Sequence, residues 1–211
     1  MTTTTLKRNR AVSVTEIYGK KFNVLPFEDE WLRSFGKPEL TGTWIIWGPS
    51  GNGKTRFALK LCKYFATLGK KVAYDSLEEG ASLSMRNAFM DVGMEEVKRR
   101  VWLLDAEPID QLIERLKKRK SPDVVAIDSI QYTGMNYKDY KALRDMFPKK
   151  IFILISHADG KNPAGRVAGS IKFDAFVKIR VEGYKAYPVS RYGGGEPYTI
   201  WAEGAESYYM Q

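Results

Sequence analysis

Thr43-Trp-Ile-Ile-Trp47 runs directly into Gly48-Pro-Ser-Gly-Asn-Gly-Lys-Thr55. The first five residues are apolar or β-branched and too few for a helix, which suits a buried strand. The next eight match G-x-x-x-x-G-K-[ST], a loop whose glycines let successive backbone N–H groups turn inward toward phosphate oxygens. Residues 56–68 leave it as a helix: Ala58, Leu61, Cys62 and Phe65 recur at i, i+3, i+4 and i+7, and the run stops near Gly69. The start of that helix adds positive potential at the loop. Strand, loop and helix together make Gly48, Pro49, Ser50, Gly51, Asn52, Gly53, Lys54, Thr55 and Arg56 the candidate nucleotide-binding residues. Lys54 is placed to reach the β- and γ-phosphates and the Thr55 hydroxyl to ligate Mg²⁺, so ATP and Mg²⁺ are the expected ligands.

The same texture continues outward. Residues 71–74, 101–104, 124–127 and 151–155 are short apolar runs that end on Asp75, Asp105, Asp128 and Ser156. Between them Ile109, Leu112, Ile113 and Leu116 keep helical spacing, and Tyr140, Leu143 and Phe147 are compatible with it. Buried strands alternating with helices predict an α/β fold, a mostly parallel sheet flanked by helices on both faces. Beyond Phe173, residues 176–181, 186–190 and 198–202 are separated by glycines and predict antiparallel strands that extend the sheet. We expect an N-terminal extension, partly flexible, over residues 1–39 and one domain over 40–211. Within the extension, Trp31, Leu32 and Phe35 fit one helix face packed on the core.

Composition narrows the classes. The 211 residues are 44% apolar and 28% charged, which is ordinary for a globular chain and argues against wholesale disorder. One cysteine and one histidine exclude a Cys/His zinc site and an internal disulfide. No apolar run approaches the length of a membrane span and no signal peptide is apparent, so a cytoplasmic, non-membrane protein is expected. Lysine and arginine number 34 against 25 acids, a net charge of +9 that favours polyanionic partners. The densest basic run, residues 115–120, closes a predicted helix, where cations suit the negative end of the dipole.

A phosphate loop of this kind needs a second metal-ordering carboxylate on a neighbouring strand. Asp123-Val-Val-Ala-Ile-Asp128 delivers Asp128 to the carboxyl edge of the sheet, where ligands bind in open α/β sheets. Hydrolysis also needs a group that takes a proton from water. The segment Asp75-Ser-Leu-Glu-Glu-Gly80 offers Glu78 and Glu79, with Asp75 third, and spacing alone does not choose among them.

In this order, these segments resemble the RecA superfamily of ATPases, most closely the ATPase core of the bacterial RadA (Sms) DNA-repair family. The run from Asp123 to Gln131 is similar to that family's second nucleotide motif, and Ser76-Leu-Glu-Glu-Gly80 to its acidic motif. The resemblance covers roughly residues 40–202 and implies a RecA-like P-loop core in which Glu78 is the catalytic glutamate. It also implies that His157, ending Phe152-Ile-Leu-Ile-Ser-His157, senses the γ-phosphate. Val189-Ser-Arg-Tyr-Gly193 resembles the family's Lys-Asn-Arg-Phe-Gly motif. By that likeness Arg191 completes a neighbouring subunit's site, although Val189 departs from the lysine. A core without zinc ribbon or protease-like domain resembles the recombination ATPases of phages and mobile elements.

Two segments stand where RecA-type ATPases touch DNA. Residues 132–141 carry Tyr132, Tyr137, Lys138, Tyr140 and Lys141, and residues 158–170 carry Lys161 and Arg166 among glycines. Tyrosines beside lysines suit single strands, with rings stacking on bases and cations tracking phosphates. The implied function is a Mg-ATP-dependent ATPase acting on single-stranded DNA in recombination, repair or helicase-like movement, as a homo-oligomeric ring or filament. The alternative is a nucleotide-switched, KaiC-like or partner-loading ATPase that assembles without touching DNA.

Overall fold

The computed structural model describes residues 10–210. Helices α1 (Val14–Gly19) and α2 (Asp29–Phe35) precede the central strand β1 (Gly42–Gly48). There follow α3 (Lys54–Thr67), β2 (Val72–Ser76), α4 (Leu83–Val92), β3 (Val101–Asp105), α5 (Ile109–Lys117) and β4 (Val124–Asp128). Next come α6 (Tyr137–Met146), β5 (Ile151–Asp159), the two-residue β6 (Asn162–Pro163) and α7 (Arg166–Asp174). Strands β7 (Val177–Glu182), β8 (Lys185–Ser190) and β9 (Tyr198–Thr199) lead to the last helix, α8 (Ala202–Tyr209).

The strands lie in the order β3-β2-β4-β5-β1-β7-β8-β9, with β6 paired to β5. Pairings from β3 to β7 are parallel, while β7–β8, β8–β9 and β5–β6 are antiparallel. This is the expected α/β architecture with antiparallel strands at the C-terminal end. Strand β1 is buried throughout because both its faces are covered. Trp44 and Ile46 join one core with Phe57, Leu61 and Phe65 of α3, and Ile45 and Trp47 join another with residues of α5, α6 and α7. Fully burying each such side chain contributes roughly 1.5–3 kcal/mol.

Residues 25–40 belong to this packing. Leu25, Phe27, Trp31 and Phe35 are buried, and Trp31 stacks on Tyr64 of α3 at 4.7 Å between ring centroids. The segment without buried side chains is residues 10–24, which ends well short of residue 39. The strand expected over 198–202 stops at Thr199, and α8 begins at Ala202. That helix turns on Gly204, where a Cβ would collide with the Trp201 ring. Among the described residues, no helix is long and apolar enough to cross a membrane.

Candidate nucleotide site

Local backbone chemistry shapes the loop between β1 and α3. A Cβ on Gly48 would run into the Val181 carbonyl oxygen of the adjacent β7, so only glycine lets the chain turn there. Gly51 and Gly53 take φ of 73° and 94°, the left-handed region that glycine enters without strain. Asn52 fastens the loop from outside: its Oδ1 accepts from the Gly183 N–H at 2.7 Å and its Nδ2 donates to Ser50 O at 3.0 Å. Lys54 Nζ donates to Pro49 O at 2.8 Å, which folds the ammonium back over the loop. Burial lowers the Lys54 pKa, while the Asp128 and Glu78 charges oppose that shift.

The register of β2 against β4 sets Ser76 beside Asp128. The Asp128 carboxylate accepts from Tyr74 Oη at 2.5 Å and from Thr55 Oγ1 at 3.3 Å. Burial pushes its pKa up; the Tyr74 and Thr55 hydrogen bonds and Lys54 oppose the shift, while the Glu78 charge adds to it. The Asp128 carbonyl accepts from the N–H groups of Leu77 and Glu78 at 2.6 and 3.2 Å, hanging the acidic turn from the end of β4. On β5, His157 stands opposite Gly48. Its Nε2 lies 3.4 Å from Glu78 Oε2 and 3.4 Å from Ser129 Oγ.

The three acidic candidates separate in space. Glu78 and Glu79 both line the cavity above the loop, but Glu79 Oε2 accepts from Ser82 Oγ at 3.4 Å and only Glu78 meets His157. Asp75 points into the opposite side of the sheet, where its Oδ1 accepts from the Glu107 N–H at 3.0 Å. It is buried, and burial pushes its carboxyl up to about 6.

The cavity holds about 360 Å³ and brings together Lys54, Thr55, Glu78, Asp128 and His157. Arg56 is at its margin and pairs with Asp91 at 3.1 Å. Two residues absent from the sequence reading complete the outer wall. Tyr184, in the turn between β7 and β8, meets Trp201 edge to face at 5.0 Å between centroids. Gln131, named in the sequence only as the end of a motif, lies behind them: its Nε2 donates to Ser156 Oγ at 2.7 Å and to Ala164 O at 3.0 Å, bracing the end of β5. Its place in the run after Asp128 was the available signal.

Other expected residues stand apart from this cavity. Arg191 lies at the opposite edge of the sheet, its guanidinium 4.8 Å over the Phe176 ring. Lys138 and Lys141 are on α6, Lys161 is in the turn before β6, and Arg166 opens α7, all exposed. Residues 132–141 and 158–170 therefore lie largely in helix and strand. Tyr140 is buried, with its hydroxyl donating to Thr43 Oγ1 at 2.9 Å, and Tyr137 donates to Asp174 at 2.7 Å. Tyr132 remains exposed, its ring 6.4 Å from that of His157.

No protein-family profile matches the chain. The DNA repair and recombination protein RadB of Methanosphaera stadtmanae is 32% identical over 92 residues, spanning 40% of this chain and 40% of that protein. Among solved structures, FlaH, a flagellar accessory protein of Methanocaldococcus jannaschii, aligns with a TM-score of 0.61 and 18% identity over 86% of this chain and 98% of its own. The KaiC-like protein PH0186 of Pyrococcus horikoshii OT3 gives 0.54 and 22% over 76% and 85%. A further solved structure, an ATPase domain, gives 0.55 and 18% over 79% and 83%. These likenesses show the fold: around its P-loop the chain has the RecA-like α/β architecture. The likeness holds at that level and does not single out RadA.

Proposed function

We propose that this chain binds Mg-ATP in the cavity above Gly48–Thr55, hydrolyses it, and couples turnover to single-stranded DNA in recombination or repair. The observation that carries hydrolysis is the Glu78–His157 contact, at 3.4 Å, across the same cavity as Lys54, Thr55 and Asp128. Thr55 and Asp128 present a hydroxyl and a carboxylate 3.3 Å apart, hard oxygen donors of the kind Mg²⁺ takes. The ion, when bound, neutralises phosphate charge. Lys54 holds the terminal phosphates, Glu78 accepts a proton from the attacking water, and His157 keeps the Glu78 carboxylate aimed and meets the γ-phosphate. Arg56, Tyr184 and Trp201 enclose the base side of the nucleotide.

DNA coupling is supported by the RadB likeness, the net charge of +9, and Lys138, Lys141, Lys161 and Arg166 exposed on α6, the β5–β6 turn and α7. The second reading, a nucleotide switch that assembles without DNA, is favoured by the engagement of Tyr137 and Tyr140 within their own fold. ATP turnover measured with and without single-stranded DNA separates the two. Stimulation that Lys138→Ala with Lys141→Ala, Lys161→Ala and Arg166→Ala removes is expected. Turnover indifferent to DNA, with oligomerisation that follows bound ATP, would establish the switch instead. Lys54→Ala with wild-type turnover would reject the site itself.

A further inference from the structure

The edge of the sheet opposite the nucleotide cavity carries a concentration of positive charge that the register builds. Val72 stands beside both Val101 and Val124, and Val124 beside Ile151. The residues just before these strands therefore form one row. Val72 N–H donates to Arg100 O at 2.8 Å, Asp123 N–H to Lys71 O at 2.8 Å, and Ile151 N–H to Asp123 O at 3.0 Å. Arg100, Lys71 and Lys150 lie in that row, and Arg99, Lys70 and Lys149 one residue further out. Strand neighbours are about 4.8 Å apart, so β3 to β5 spans roughly 14 Å. Residues 118–120, Lys-Arg-Lys, cross beneath: Lys71 Nζ donates to Lys120 O at 3.2 Å and Lys150 Nζ to Ser121 Oγ at 2.9 Å.

Among the described residues, none of these cations forms an ion pair with a carboxylate. The one acid in the row, Asp123, accepts from the Lys71 backbone N–H at 2.9 Å. Nearby Glu95 and Glu96 are engaged by Lys98 and Lys63. Helix dipoles explain a cation within the last turn of α5, where Arg115 and Lys117 already sit. They do not explain the three more beyond that end; of the pairs before the other strands, Arg100 is tied to the end of α3, its Nη1 donating to Gly69 O at 2.7 Å. Like charges within a Debye length of about 10 Å repel unless a ligand neutralises them.

A second observation gives the ligand's chemistry. Beside residues 118–122, a cleft of about 220 Å³ is lined by Arg115, Ala73, Leu104 and Trp102, whose side chain on the edge strand β3 is 43% exposed. An exposed indole ringed by cations is the pairing that stacks a base and holds its phosphates. We propose that this edge binds single-stranded nucleic acid, at a surface separate from the nucleotide cavity and from α6 and α7. The inference rests on the proposed function only in taking nucleic acid as the polyanion.

The test is the anisotropy of a fluorescein-labelled oligothymidylate over a range of salt. Lys118→Glu with Lys120→Glu is compared with a charge-matched control off this edge, Arg86→Glu with Lys185→Glu. The edge variant is expected to lose about tenfold or more in affinity and to lower the salt slope by about 1–1.5, the share of two phosphates. The control is expected to stay within about twofold. Trp102→Leu is expected to weaken binding by about 5- to 150-fold, the range of one base–aromatic stack, with the slope unchanged. Binding of a fluorescent ATP analogue unchanged in every variant verifies the fold. An edge variant that binds like wild type overturns the proposal while leaving DNA coupling through α6 and α7 intact. So does one that loses only its affinity for anionic phosphatidylserine vesicles, which would make the edge a membrane surface. Wild-type protein that binds no oligonucleotide overturns this proposal and the DNA reading together.

Discussion

Glu78 and His157 meet at 3.4 Å although one follows β2 and the other lies near the end of β5. The contact is made by β4, which lies between those strands: its last carbonyl, that of Asp128, holds the backbone N–H groups of Leu77 and Glu78. The parallel register then sets His157 level with Gly48 at the start of the phosphate loop. Three strands thus aim a carboxylate and an imidazole at one side of the same cavity, and the acid that meets the imidazole is Glu78 rather than Glu79.

That difference predicts unequal phenotypes for two adjacent glutamates. Glu78→Gln removes the proposed proton acceptor but keeps the shape of the turn, so turnover should fall by roughly 10²–10⁴-fold with ATP affinity retained. Glu79→Gln loses only a contact with Ser82 and should stay within a few-fold of wild type. Single-turnover kinetics beside equilibrium binding tests this, and the reverse ranking would reassign the base.

The Tyr184–Trp201 wall predicts an effect on binding rather than chemistry. Its rings line the cavity, and one aromatic face on a base contributes about 1–3 kcal/mol. Trp201→Ala should therefore raise the dissociation constant for ATP about tenfold while leaving kcat at saturation nearly unchanged. A fall in kcat at unchanged affinity would place Trp201 in the chemistry instead.

The parallel strands were legible in the sequence because strands buried on both faces read as continuous apolar runs. The phosphate loop was legible because its chemistry is local to eight consecutive residues. Helix α4 left no stripe, since it buries only Met85 and Val92 while Leu83 and Met90 face outward. Helix α8 rests on the small Gly204 and Ala205, which give no apolar period. The Tyr184–Trp201 contact depends on a hairpin turn folding back toward the start of a helix, a meeting that no local spacing encodes. The same holds for the cations before β2, β3, β4 and β5. They are scattered along the chain and become one surface only through the sheet register.

Asp75 gives a pH prediction for stability. Burial lifts its carboxyl from the usual 3.8 to about 6. Between those values the folded chain keeps a proton that the unfolded chain releases, so stability falls as pH rises from about 4 to 6 and then levels off. Asp75→Asn keeps the acceptor for the Glu107 N–H without the buried charge. The variant should gain on the order of 2 kcal/mol over wild type at neutral pH, a gain that shrinks toward zero near pH 4. Urea unfolding at several pH values reads this directly, and parallel curves for the two proteins would refute it.

Arg191 raises the question of where a cation for the far side of the γ-phosphate comes from. Its backbone N–H donates to Phe176 O at 3.0 Å, and Phe176 N–H to Thr43 O at 2.8 Å, which puts Arg191 near the start of β1. The phosphate loop leaves the other end of that strand at Gly48, about 16 Å further on. Arg191 therefore does not reach its own nucleotide. If it serves a neighbour's, each hydrolytic site is shared between two copies. Turnover per subunit should then rise with protein concentration, and Arg191→Ala should lower turnover by about 10³-fold while sparing ATP binding. Arg191→Ala and Lys54→Ala proteins, each inactive alone, should regain activity when mixed. In an equimolar ring or filament about a quarter of interfaces join an intact phosphate loop to an intact arginine. Full activity in a dilute chain shown by sedimentation to be monomeric would mean that the site is complete within one copy, with Arg191 left to its place over Phe176.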